Sequence, residues 1–208
     1  VTLAEARTEL GGRVTLESRL PGLASWARVR DYRTNLIQKM ASVEVYRDSP
    51  LSARDVIDFD CDHAVIATGA KWTREILGDG GYPVTGFETN AVFTPDDILA
   101  GAEPEGPIVI YDFDHYFMGS CLAELLRQRG SEVTIVTPAS AVSAWTFLNN
   151  ELADIRVRMI ELGINTVMER RLVGFGDGKV ELASIYPVDD VSSVDCASLV
   201  IVGNRTGN

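Results

Sequence analysis

GPIVIYDFDHYFMGSCLAELLRQRGSEVTIVTP, residues 106 to 138, decides the fold. Ile108 to Tyr111 form a short apolar run, and Met118, Cys121, Leu122, Leu125 and Leu126 then recur at helical spacing. Gly130 stops that helix, and Glu132 to Thr137 make a second, β-branched run. The stretch therefore reads as a βαβ unit, for which a right-handed crossover is expected. In a unit of this kind that binds a dinucleotide the turn carries G-x-G-x-x-G, because a pyrophosphate needs close backbone approach and the positive end of the helix. Here the three places hold Asp112, Asp114 and Phe117. Two carboxylates would face a diphosphate with like charge, and a phenyl ring would fill the space that the last glycine leaves between helix and strand. The second strand ends Val136-Thr137-Pro138, without the Asp or Glu that holds an adenosine ribose. The expectation is a Rossmann-like scaffold with its phosphate site removed, and no NAD(P) is expected at Asp112 to Phe117.

Upstream, Val1 to Ala6 read as a strand ending near Glu5, followed by Leu10-Gly11-Gly12-Arg13. An acid at a strand end can accept ribose hydroxyls, and a Gly-Gly a few residues on lets the chain pass close to a nucleotide. Val1 opens the chain directly on this strand pattern with no Met, so a fragment of a longer chain is expected, with a strand and glycine-rich turn just upstream. Trp26, Val29, Leu36, Ile37 and Met40 make a helical apolar stripe, with Arg28, Arg30, Arg33 and Lys39 largely on its other faces. Val43 to Arg47 and Val56 to Phe59 are short strand candidates. Cys61 to Thr68 is a stronger one, running into Thr68-Gly69-Ala70 at what would be the carboxyl end of a sheet, where open α/β sheets bind ligands.

Lys71 to Glu105, with Gly78, Gly80, Gly81, Pro83 and Gly86 among its breakers, reads mainly as a connector, although Thr94-Pro95-Asp96-Asp97 looks like a helix start. After the central unit come an amphipathic segment from Leu148 to Ile160, then strands at Ile164 to Met168, Arg171 to Phe175 and Lys179 to Ile185, and a last buried strand at Ala197 to Val202. The expected architecture is α/β with two Rossmann-like, FAD/NAD(P)-binding-domain-like parts. Residues 1–104 plus 196–208 form an incomplete FAD/ADP-binding-like part, and residues 106–195 form an inserted NAD-binding-like part.

Composition sets outer bounds. The chain has 208 residues, 46% of them hydrophobic, and a net charge of -11. It is long enough to bury one good core or two small ones. The acidity disfavours nucleic acid and anionic membranes, whose affinity rests on Lys and Arg. No apolar run approaches the roughly 20 residues that span a bilayer, so a cytoplasmic location is expected. Cys61, Cys121 and Cys196 show no disulfide, zinc or iron-sulfur spacing. Asp112, Asp114 and His115 are too few for a metal site, His63 beside Asp62 reads as structural, and Ser143 has no triad context. No catalytic residue and no metal ligand is assigned.

VTLAEARTELGGR, LPGLASWARVRDYR, DHAVIATGAKW, TPDDIL, DFDHYFMGSCLAELL and VTIVTP together resemble the carboxyl-terminal region of the trimethylamine dehydrogenase and histamine dehydrogenase family of flavoproteins. The resemblance implies a parent oxidoreductase in which a barrel carries FMN and a 4Fe-4S cluster, while this region keeps a bound ADP, or FAD, at an adenine nucleotide site. It implies Glu5 as the ribose ligand, with Gly11, Gly12, Arg13, Thr68 and Gly69 lining the site. It also implies an electron-transferring flavoprotein as partner and a homo-oligomer. Two other readings stand beside it: an FAD- and NADPH-dependent dienoyl-CoA or enoate reductase region, which would need a working glycine turn at Asp112 to Phe117, and a non-catalytic structural module at a redox-partner or subunit interface.

Overall fold

A computed structural model of the chain describes residues 1–77, 83, 84, 87 and 89–208; Gly78, Gly80, Gly81 and Gly86 of the connector lie outside them. The chain divides into two compact units, Val1–Gly69 with Asn208, and Ala70–Gly207. Among the described residues no helix is long and apolar enough to cross a membrane.

In the first unit β1 (Thr2–Ala4) and β2 (Glu44–Tyr46) pair in parallel, Leu3 opposite Val45. Between them run α1 (Gly12–Glu17) and α2 (Ala27–Gln38). Of the expected stripe α2 contains Val29, Leu36 and Ile37, with Trp26 before its start and Met40 beyond its end, and no residue of that helix is buried. Two strand expectations fail here. Val56 to Phe59 falls largely in α3 (Ala53–Asp58), because Ser52 and Asp55 form a capping box: Asp55 accepts the Ser52 amide at 2.7 Å and Ser52 Oγ accepts the Asp55 amide at 3.3 Å. Cys61 to Gly69 forms no strand at all and is exposed throughout. A strand satisfies its backbone only through a neighbouring ladder, and β1 and β2 pair only with each other.

The second unit holds β3 (Ala70–Trp72), β4 (Ile76–Leu77), β5 (Pro83–Val84), β6 (Val92–Phe93), α4 (Pro95–Leu99), β7 (Ile108–Asp112), α5 (Phe117–Gln128), β8 (Val133–Val136), α6 (Leu152–Glu161), β9 (Asn165–Val167), β10 (Arg170–Gly176), β11 (Lys179–Ser184), β12 (Val191–Asp195), β13 (Ser198–Val202) and β14 (Arg205–Gly207). Its centre is a five-stranded sheet ordered β6-β13-β7-β8-β9, every pair parallel. All residues of β7, β8 and β13 are buried, as in parallel sheets covered on both faces. Side-chain alternation divides β7 between two layers. Val109 and Tyr111 join Leu199 and Ile201 in a cluster with Leu172, Val180 and Leu182 of the antiparallel sheet β10-β11-β12. Met118, Leu122 and Leu126 of α5 are buried on the opposite layer. Each such Leu, Ile or Val contributes roughly 1.5–3 kcal/mol by leaving water.

The terminal strand departs from expectation. β13 was assigned to the first part, but it lies between β6 and β7, with Leu199 opposite both Val92 and Val109. The apolar run Leu199 to Val202 finds its burial in the sheet of the central βαβ stretch. The division between units falls after Gly69, not near Pro104.

Candidate functional site

Glu5 follows β1 directly. Its amide donates to the Tyr46 carbonyl at 2.8 Å and its carbonyl accepts the Ser49 amide at 2.9 Å, so the parallel pairing of β1 and β2 fixes where the side chain of this half-buried residue leaves the sheet. Oε1 accepts the Arg7 amide at 2.9 Å. The chain then reaches Gly11 and Gly12 with φ of 118° and 48°, a region that costs residues with a Cβ about 1–2 kcal/mol. At Gly11 a Cβ would lie 2.6 Å from Thr15 Oγ1 and 2.7 Å from Arg30 Cγ, so the side chain of Arg30 packs on this glycine. At Gly12 no atom lies within 4 Å of that place. Arg13 pairs with Glu17 at 3.3 Å. Thr68 and Gly69 have other partners: Thr68 Oγ1 donates to the Asn208 carbonyl at 2.9 Å, and the Gly69 carbonyl accepts the Asn208 amide at 3.1 Å. Gly69 has φ of 81° and open space where a Cβ would stand. The candidate residues thus form two groups, Glu5 to Arg13 and Thr68-Gly69, each held by its own contacts.

The turn between β7 and α5 differs from its expectation. Asp112 does not point toward a diphosphate; its side chain is fully buried. Oδ1 accepts the His115 amide at 3.2 Å, while Oδ2 has no hydrogen-bond partner. Burial pushes this carboxyl up to about 7, against the pull of the amides of His115, Asp114 and Ser143 and with the added push of the Asp114 charge. The close helix–strand approach occurs at Gly119, where a Cβ would stand 2.7 Å from Asp112 Cγ, and not at the half-buried Phe117. A glycine inside a helix costs about 0.5–1 kcal/mol against Ala, a signal of close packing readable in the sequence.

Asp114 is half-buried and pairs with Arg205 at 3.2 Å, and Arg205 also lies 3.9 Å from the centre of the Trp72 ring. Burial raises the Asp114 pKa, while Arg205 and His115 lower it. Burial lowers the His115 pKa against the opposing charge of Asp114. The imidazole sits between Phe113 and Trp145, with ring centres at 5.4 and 5.9 Å. Ser143, buried with φ of 53°, donates to Ser120 Oγ at 3.0 Å. His63 is exposed on the segment expected to be a strand. Among the described residues no group of three or more His, Cys, Asp and Glu side chains could hold a metal ion.

The family described as OYE-like second alpha/beta domain matches residues 93–199, just over half of the chain. The solved histamine dehydrogenase from Rhizobium sp. 4-9 is 40% identical, with a TM-score of 0.93 over 99% of this chain and 32% of that one. The 6-hydroxypseudooxynicotine amine oxidase from Pseudomonas geniculata N1 is 38% identical, with a TM-score of 0.94 over 99% of this chain and 31% of that one. The dimethylamine dehydrogenase of Hyphomicrobium sp. (strain x) is 29% identical over 195 residues, 89% of this chain and 26% of that protein. The chain thus spans about a quarter of the length of that curated relative. It belongs to the OYE-like second alpha/beta domain family and is homologous to the flavoprotein amine dehydrogenases.

Proposed function

We propose that this chain is the nucleotide-fold region of a flavin-dependent amine dehydrogenase, and that its first unit holds the adenosine half of ADP or FAD. Glu5 is the ribose ligand, and Gly11, Gly12, Arg13, Thr68 and Gly69 line the site. The observation that carries this reading is local: a parallel strand leads directly into the half-buried residue Glu5, and two positive-φ glycines follow, one of them with open space beside it. A carboxylate so placed can accept both ribose hydroxyls, a charge-assisted contact of roughly 1.5–3 kcal/mol. α1, at six residues, is too short to supply a phosphate site by itself. The proposal for this chain is therefore limited to adenosine.

In the second unit the all-parallel order β9-β8-β7-β13-β6, with a helix crossing between β7 and β8, supports a Rossmann-like reading. Its nucleotide turn does not take NAD(P). The 4Fe-4S cluster implied by the family does not fit the described residues, which offer no group of three or more His, Cys, Asp and Glu side chains for a metal, and the FMN and the cluster are assigned to the barrel of the parent oxidoreductase. No redox step is assigned to these side chains. The remaining elements of the reading are an electron-transferring flavoprotein as partner, a homo-oligomeric assembly and a cytoplasmic location. The test is to denature the natively expressed protein and assay the released nucleotide. ADP or FAD at about one per chain is expected, and a folded preparation that releases neither overturns the adenine site.

A further inference from the structure

The β7–α5 turn has the parts of an anion site. It lies at the carboxyl end of the central strand of a parallel sheet, between β8, the next strand of that sheet along the chain, and β13, the last. It opens a twelve-residue helix whose first residue follows Tyr116, with no side-chain cap. Ligands of open α/β sheets bind at such a place, and amides at a helix start attract negative charge. The amides here already have an oxygen to face. Asp112 accepts from His115, and the Asp114 and Ser143 amides also act on the same carboxyl. The side chain reaches this position only because residue 119 has no Cβ; any other residue there would stand 2.7–2.9 Å from the carboxyl atoms. The fit is incomplete, since Oδ2 is fully enclosed and unpartnered. The other charges at the turn are accounted for: Asp114 is paired with Arg205, and the charged form of His115 is disfavoured by burial.

We infer that the β7–α5 turn is a phosphate-type anion cradle that the chain fills with its own Asp112 carboxyl, closing the central crevice of this sheet to diphosphates. Asp112 and Gly119 form the plug as a matched pair, a side chain and the vacancy that admits it. This goes beyond the adenine-site reading, which concerns the other compact unit, so either can fail without the other.

The test uses the full chain and inorganic pyrophosphate as the probe. Asp112→Gly removes the plug, while Asp112→Asn keeps its volume. By calorimetry, Asp112→Gly is expected to bind pyrophosphate at least tenfold more tightly than wild type or Asp112→Asn, with the gain lost at high salt. A folded Asp112→Gly chain that binds no better than Asp112→Asn overturns the inference, as does wild type binding as tightly as Asp112→Gly. Amide hydrogen exchange on the wild-type chain decides the matter if the glycine variant does not fold. Slow exchange at His115 and Ser143 supports an occupied cradle. Exchange there at the rate of an open loop overturns it.

Discussion

Two strand-to-helix turns of this chain start alike and end differently. After β1 the chain keeps its acid, Glu5, half-buried as a residue at the strand end and then passes through two positive-φ glycines, Gly12 with open space among the described residues where a Cβ would stand. After β7 the carboxylate, Asp112, is folded inward, and the glycine, Gly119, sits one turn into the helix where it admits that side chain. The same two residue types give opposite outcomes. With an acid before the glycines the space beside Gly12 stays open, and an acid facing a glycine fills that glycine's space itself. What decides between them is the spacing between acid and glycine together with the burial of the strand end.

The sharpest way to break this comparison is pH. The Asp112 carboxyl is raised from 3.8 to about 7 by burial. A raised acid contributes stability that is full below its unfolded value and is lost as pH rises through its folded value. The loss should total on the order of 4 kcal/mol, spread from about pH 4 to pH 7. Asp112→Asn should remove that slope, so the two chains diverge in denaturant midpoint as pH rises and the variant is the more stable at pH 8. Parallel pH profiles would show that Asp112 ionises freely and is not enclosed. Next in size is Gly119→Ala, whose Cβ would press on the Asp112 carboxyl; overpacking of this kind costs about 1–3 kcal/mol. In an Asp112→Gly background the same change should cost much less. A double-mutant cycle with no coupling would separate the two residues.

Much of the second unit was legible because its strands are buried on both faces and so read as unbroken apolar runs, as in Ile108 to Tyr111 and Leu199 to Val202. The position of β13 in the sheet was not legible, since an apolar run does not state its neighbour. β6 has only two residues and carries no periodicity. Cys61 to Thr68 has the composition of a strand but no adjacent ladder, and composition cannot supply one. The S-x-x-D spacing of Ser52 and Asp55 that caps α3 stands in the sequence, while the apolar pattern of Val56 to Phe59 beside it reads as a strand. At the β7–α5 turn Asp112, Asp114 and Phe117 stand at the three places where a dinucleotide turn has glycine. The direction of the Asp112 side chain depends on Gly119, two places beyond the motif, and no spacing rule reaches it.

On the side of the open turn, Glu5→Ala should weaken ADP binding by the natively expressed protein about tenfold, near 1.4 kcal/mol, as measured by calorimetry. The fold should be unaffected, because among the described residues the Glu5 side chain is hydrogen-bonded only to the exposed Arg7 amide. An unchanged ADP affinity would remove Glu5 from the site and leave the glycines as ordinary turn residues.

The smallest effect concerns Arg205, which decides how Asp114 belongs in the comparison. Arg205 reaches Asp114 at 3.2 Å and lies over Trp72, but its side chain is 42% exposed, so water and salt screen the pair. Arg205→Ala should therefore cost no more than about 1 kcal/mol in stability, less at high salt. The informative readout is the carboxyl titration of Asp114 by NMR. Burial already raises that group and Arg205 holds it down, so the variant should titrate at higher pH than wild type, while Asp112 keeps its place. An Asp114 titration that does not move would mean that the guanidinium does not offset its charge. The guanidinium would then serve Trp72 alone, and Asp114 would stand at this turn as an uncompensated like charge.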